Sequence, residues 1–261
     1  MRTYVLISIL ISISTAHAAG LPDTGQDRCF PSVGPPLVAC NETNTGNAAD
    51  YPDQDGRYGR DAAATLGQLP KIGAGKSGRD YTKVCNSGEL ADSGACPADP
   101  ILGDGNNEWA CTQDNVTGLM WEVKTDDGGL RDKDWTYSWY NADTSTNGGN
   151  AGSPDDDNNC FNLTRCDTQK YQSDINTIIP LCGYTDWRVP SQRELLTLTD
   201  LNRNPVSDFY PNTLLDQFWS ASPYAATPFS KAWIVDTYTA GTSAQNKSNN
   251  VNLRLVRGVR F

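Results

Sequence analysis

Eight cysteines, Cys29, Cys40, Cys85, Cys96, Cys111, Cys160, Cys166 and Cys182, constrain this 261-residue chain more than any other feature. An even set of this size forms a disulfide framework in a chain that folds outside a reducing compartment. The N-terminus points the same way. Arg2 gives a positive start, Tyr4 to Ile13 an apolar stretch, and Ala16-His17-Ala18 a small-x-small cleavage site. Residues 1–18 therefore read as a secretory signal peptide, with a periplasmic, cell-surface or extracellular destination. No C-x-x-C occurs, which argues against a zinc site and a redox-active pair. The short gaps in Cys29–Cys40 and Cys85–Cys96 suggest two local loops, leaving the other four cysteines to brace the second half.

His17 is the sole histidine, so cleavage leaves no imidazole. That excludes Ser-His-Asp and Cys-His nucleophiles, histidine general bases and histidine-bound metal. The formal net charge is −10, and losing Arg2 makes the remainder more acidic still. An acidic surface is poorly suited to phosphate contacts, so nucleic acid is not an expected partner. No stretch is apolar for long enough to span a bilayer, so membrane insertion is not expected either.

Residues 19–105 are rich in Gly, Asp, Asn and Pro, with almost no apolar periodicity beyond a short strand near Tyr81 to Val84. They read as a loop-rich, disulfide-braced segment. Asp53 to Asp61 resembles a calcium loop briefly but lacks the required terminal glutamate, and Gly73 to Ser77 lacks the first glycine of a phosphate loop. From residue 106 the chain becomes domain-like. Trp109 to Asp114 and Leu119 to Val123 flank a glycine-containing turn and predict a hairpin. Trp135, Tyr137 and Trp139 would share one strand face, serving as core or as a sugar-stacking stripe. Thr144 to Asn159 must be an exposed loop. Its Asp155, Asp156 and Asp157 offer oxygen ligands to calcium, although a solvated acidic loop is the simpler account.

Two helices follow. The first is capped by Asp167 or Thr168 and buries Tyr171, Ile175, Ile178 and Ile179. The second opens on a capping box, Ser191 with Glu194, and buries Leu195, Leu196 and Leu198. Strands are predicted over Phe218 to Ser222, Ala232 to Tyr238 and Val251 to Phe261. In the last, Leu253, Leu255, Val259 and Phe261 share the apolar face with Arg257, and Arg254 and Arg260 point away. A buried charge needs a partner, for which Asp186 or Glu194 is the candidate.

Asn115-Val116-Thr117-Gly118-Leu119-Met120-Trp121-Glu122, Cys182-Gly183-Tyr184-Thr185-Asp186-Trp187-Arg188-Val189-Pro190-Ser191 and Glu194-Leu195-Leu196 form an ordered series. Phe218-Trp219-Ser220, Ala232-Trp233 and Val256-Arg257-Gly258-Val259-Arg260 continue it. The series resembles the Lcl C-terminal domain family over roughly Trp109 to Phe261. Its Asp186-Trp187-Arg188 core is also similar to formylglycine-generating-enzyme-like domains. The resemblance implies an α+β, C-type-lectin-like domain over 106–261, two helices with short twisted antiparallel strands. In that frame Trp121, Asp186, Trp187, Arg188, Ser191, Glu194, Trp233 and Arg257 are structural. The family often has a cysteine where Gly258 stands. Cys182 therefore needs another partner, which implies Cys166–Cys182 and leaves Cys111–Cys160.

The expected function is a non-catalytic, adhesin-like recognition module binding carbohydrate or another surface polymer. Tyr137, Trp139, Tyr140, Trp219 and Tyr224 would stack on sugar faces. Lys231, Lys247, Arg254, Arg257 and Arg260 would form a basic patch, with Arg254 and Arg260 contacting ligand. The alternatives are a structural or protein-binding surface component and, more remotely, an oxidase of the formylglycine-generating type or a hydrolase using Asp186 and Glu194. No cofactor is expected apart from the calcium option. One member type of that family is a trimeric adhesin for sulfated glycosaminoglycans with a collagen-like stalk; no such stalk is expected here, and no oligomeric state is predicted.

Overall fold

The predicted hairpin anchors the first sheet. The structure, a computed structural model, describes residues 28–30, 38–40, 54–69, 78–154, 159–178, 180–199 and 208–260. Strands β1 (Arg28–Cys29) and β2 (Val38–Ala39) pair with each other, and helices α1 (Asp55–Tyr58) and α2 (Arg60–Thr65) lie beyond them. These helices occupy a stretch in which apolar periodicity is weak. The expected leader, the Gly73–Ser77 mimic and the Asp155–Asp157 cluster lie outside the described residues.

In the hairpin, β4 (Trp109–Asp114) turns into β5 (Met120–Glu122). Asp114 holds the turn by accepting the Val116 and Thr117 N–H groups at 2.9 and 3.2 Å and the Thr117 hydroxyl at 2.7 Å. Gly118 completes it at φ +75°, a backbone conformation that disfavours other residues. Strand β3 (Tyr81–Cys85) pairs antiparallel with β4. The packed body therefore begins well before residue 106, and a boundary there separates two strands of one sheet.

The second sheet has five strands in the order β6 (Thr136–Tyr137), β10 (Val251–Asn252), β7 (Gln217–Pro223), β8 (Lys231–Asp236) and β9 (Gly241–Asn246). Strand β11 (Val256–Arg257) belongs to the first sheet, beside β5. The expected single strand over 251–261 is thus two short strands in two sheets, joined by a crossing segment. Every residue from Val251 to Val256 is buried, so alternation fails there. Arg254 is 1% exposed, and Arg257 is only half-buried. Strand β9 is an addition, because Gly-Thr-Ser-Ala-Gln-Asn carries no apolar alternation to reveal it.

Helix α3 (Thr168–Thr177) is capped by Asp167, whose carboxylate accepts the Lys170 N–H at 2.8 Å. Tyr171 and Ile175 are buried, but Ile178 is 66% exposed because the helix ends before it; Ile179 is outside the described residues. Helix α4 (Gln192–Leu196) carries the complete capping box. Leu195 and Leu198 are buried and Leu196 partly so. Trp121, Trp139, Trp187 and Trp219 fill the core.

All eight cysteines are bonded. Cys29–Cys40 and Cys85–Cys96 match expectation. The other two pairs do not: Cys111 bonds Cys182 and Cys160 bonds Cys166. Cys182 sits in a 3-10 turn, Leu181–Gly183, packed on β4, with its N–H donating to Asn86 Oδ1 at 3.0 Å. That brings it to Cys111 and away from the start of α3. The architecture is mixed α and β, mostly sheet with few short helices.

Candidate binding cleft

A surface concavity forms where the chain after β6 runs beside the start of α3. Ser138 and Asp167 form a parallel bridge, and the Thr168 N–H donates to Ser138 O at 3.0 Å. The Thr168 hydroxyl accepts the Tyr140 N–H at 3.0 Å and donates to Tyr140 O at 2.9 Å. Gln169 Oε1 then accepts the Ala142 N–H at 2.7 Å. Helix and extended segment are joined rung by rung, which fixes where Tyr140 and Asn141 stand.

The 143–152 loop closes one side. Gly152, at φ +96°, pairs with Tyr140, and an added Cβ would lie 2.1 Å from Trp139 O. Lys247 is the pin: its Nζ donates to Asn147 O at 2.9 Å and Asn150 O at 2.7 Å, and lies 4.2 Å from the Trp139 ring centroid. Burial pushes this ammonium's pKa down. Within the loop, the hydroxyl and N–H of Ser145 and the Thr146 hydroxyl donate to Asp143 and hold its carboxyl below the usual value.

The result is a cleft of about 220 Å³. Its functional lining is Tyr140, Asn141, Gln169, Gln172, Arg188 and Arg260. Arg188 is committed, pairing with Glu194 through two bonds of 2.8 and 2.6 Å. Among the described residues, the Tyr140 hydroxyl, the Gln172 amide and the Arg260 guanidinium have no hydrogen bond or ion pair. An aromatic ring, amides and one free cation around a small cavity suit a polar ligand with an apolar face.

Of the expected ligand contacts, Tyr140 and Arg260 reach this cleft. Trp139 underlies it at 1% exposure, its indole N–H donating to Ser220 O at 2.8 Å. Tyr137 and Trp219 are buried too, and the Trp219 indole donates to Tyr137 O at 2.7 Å. They pack the core and present no face to a sugar. Tyr224 stands elsewhere, edge-on to the half-buried Trp233 at 4.8 Å. The expected basic patch does not assemble: Lys247 and Arg254 are buried. Arg257 pairs with Asp186 at 2.7 Å over the Tyr184 ring, as its need for a partner predicts. Sequence analysis missed Gln169 and Gln172. Their i, i+3 spacing on the face of α3 away from Tyr171 and Ile175 was the available signal.

Arg254 instead borders a buried polar node. Glu122 accepts the Leu255 N–H at 2.8 Å, Lys124 Nζ at 3.2 Å and the Tyr171 hydroxyl. Burial pushes the Lys124 ammonium down against the pull of Glu122, and pushes the Tyr171 hydroxyl up. Arg254 Nη2 donates to Thr213 at 2.7 Å, and its guanidinium lies 5.5 Å from the Tyr210 ring centroid.

Among the described residues one acidic group, Asp126, Asp132 and Asp134, draws its oxygens within 4.8 Å of one another. Lys133 bridges Asp126 and Asp134 at 2.8 and 2.9 Å, and Asp132 accepts the N–H groups of Asp127, Gly128 and Asp134. The chain itself already occupies these oxygens.

Taken together, the fold and cleft define a disulfide-braced, mixed α/β module with a polar surface cavity. The chain belongs to the Lcl C-terminal domain family, which matches residues 110–257 and so takes in the five-stranded sheet, all of the first sheet but β3 and the start of β4, and nearly all of the cleft. No curated protein and no solved structure matches it.

Proposed function

We propose that this chain is an exported, non-catalytic recognition module, C-type-lectin-like in fold, that binds carbohydrate or a related surface polymer in the Tyr140–Arg260 cleft. The observation that carries the proposal is the set of uncommitted groups there. The Tyr140 ring stacks on a sugar face, Gln172 and the Tyr140 hydroxyl meet its hydroxyls, and Arg260 meets an acceptor or an anionic substituent.

The remaining chemistry supports recognition over catalysis. The carboxylates of the hydrolase alternative are held by arginines, Asp186 by Arg257 and Glu194 by Arg188. An oxidase of the formylglycine-generating type needs a reactive thiol pair, and here every cysteine is bonded. The disulfides are compatible with export. No helix among the described residues is long and apolar enough to cross a membrane.

The test is a glycan array, with calcium or with EDTA, probed with the wild type and with Tyr140→Ala, Gln172→Ala and Arg260→Ala. Saturable binding that falls at least tenfold in Tyr140→Ala is expected. Binding indifferent to all three substitutions, or no binding to any glycan, would refute the proposal.

A further inference from the structure

An exposed strand edge is a template for another chain, and proteins usually blunt such edges with charge, proline, a bulge or a cover. Among the described residues, three of the four outer strands of the two larger sheets comply. Strands β6 and β11 are two residues long. Strand β3 has a register shift at Val84/Cys85 and carries Lys83, and its outer side is partly paired by Leu90. Among the described residues strand β9 has none of these protections. Its six residues, Gly241–Asn246, include no charge and no proline, and they pair with β8 without a register shift. Apart from β8, no described residue is hydrogen-bonded to the backbone of Thr242 to Asn246, except Asn249 at the Asn246 carbonyl.

The surroundings of this edge are self-complementary. Gly241 lies opposite Asp236, next to the turn bearing Tyr238, which is 61% exposed. Asn246 lies opposite Lys231, two residues after Phe229, which is 63% exposed. Exposed aromatics therefore flank both ends of the bare strand. We propose that β9 pairs antiparallel with β9 of a second copy of this chain, about a two-fold axis perpendicular to the sheet at Ser243.

In that arrangement Ser243 faces Ser243 of the second copy, Thr242 faces Ala244 and Gly241 faces Gln245, each pair on one face of the sheet. No like charges meet, although the chain carries −10. The axis also carries the Tyr238 end of each copy toward the Phe229 end of the other, twice, as an isologous contact requires. An unrelated extended peptide would gain the backbone bonds but not this reciprocal pair. The two five-stranded sheets become one continuous sheet.

Sedimentation equilibrium of the chain tests this, from about 1 to about 200 µM, the range in which a small interface dissociates. A two-state monomer–dimer equilibrium is expected. Ser243→Lys, an exposed position that leaves the fold intact, should weaken it at least tenfold, and Tyr238→Ala with Phe229→Ala severalfold. Asn107→Lys, in an exposed turn beside the other sheet, should leave it unchanged. A wild type monomeric throughout would overturn the proposal, and so would a dimer unaffected by Ser243→Lys and by the aromatic pair. If Ser243→Lys failed to fold, as judged by its melting transition, the aromatic pair would decide alone.

Discussion

The buried node around Glu122 and the rim of the binding cleft use the same residue types, tyrosine and arginine, to opposite ends. In the node, Tyr171 and Lys124 converge on one carboxylate that also accepts the Leu255 N–H, and Arg254 lies among aromatics. At the rim, Tyr140 and Arg260 carry groups with no partner among the described residues. Commitment, more than identity, separates structure from function here. A charge whose counter-charge or aromatic neighbour lies inside the fold serves the structure, and a charge left over at a cavity is available to a ligand.

The comparison breaks most visibly at Glu122. Glu122→Ala leaves Lys124 and Arg254 buried without their shared anion and should cost about 4 kcal/mol in urea unfolding. A loss under about 1 kcal/mol would show that the node is not a structural centre. The disulfides sharpen the same contrast between long-range and local bracing. Cys111 and Cys182 are 71 residues apart in sequence, and Cys160 and Cys166 are 6 apart. On loop-closure entropy, replacing the first pair by serine should cost about 4 kcal/mol and the second about 2 kcal/mol. Equal effects would mean that denatured-state entropy is not what these bonds supply.

Glu194 sets the acid limit. Burial raises its carboxyl, but the hydrogen bonds from Arg188 and the Ser191 N–H outweigh this and hold it below the ordinary glutamate value of 4.5. Its folded pKa is depressed, so its stabilisation is complete above the unfolded value and is lost as pH falls from about 4.5 through the lower folded value. Glu194→Gln should flatten that limb of the stability–pH curve; an unchanged limb would assign acid sensitivity to other groups. At the other end of the same cap, Ser191→Ala should cost about 1 kcal/mol. Arg260→Ala should change stability by less than about 0.5 kcal/mol while reducing glycan binding. A large stability loss there would return Arg260 to the structural class.

What the sequence made legible was local. The hairpin around Asn115 to Gly118, the Asp167 cap and the Ser191–Glu194 box each depend on residues within a few positions of one another, so spacing sufficed. The Arg257–Asp186 pair was also foreseeable, because a charge near the core needs an opposite. Depth was not legible. Tyr137, Trp139 and Tyr140 lie within four consecutive positions, yet two are buried and one meets solvent, because a two-residue strand ends among them. Arg254 was placed on the outer face by alternation that the crossing from β10 to β11 abolishes. The Cys111–Cys182 bond depends on a 3-10 turn reaching a strand far away in sequence, which spacing could not reveal.

That crossing has a consequence for the order of events as the chain is made. Val251–Asn252 completes one sheet and Val256–Arg257 the other, and Leu255 exchanges backbone and side-chain bonds with Glu122 between them. Synthesis delivers residues from the N-terminus onward, so the five-stranded sheet cannot close until residue 252 has emerged, and the first sheet is not complete until residue 257 has. Until then the channel between β6 and β7 and the flank of β5 stand open, with their apolar faces wet. The fold is sealed late by one heptapeptide, and any truncation that removes it should leave two unfinished sheets, not a smaller version of the same protein.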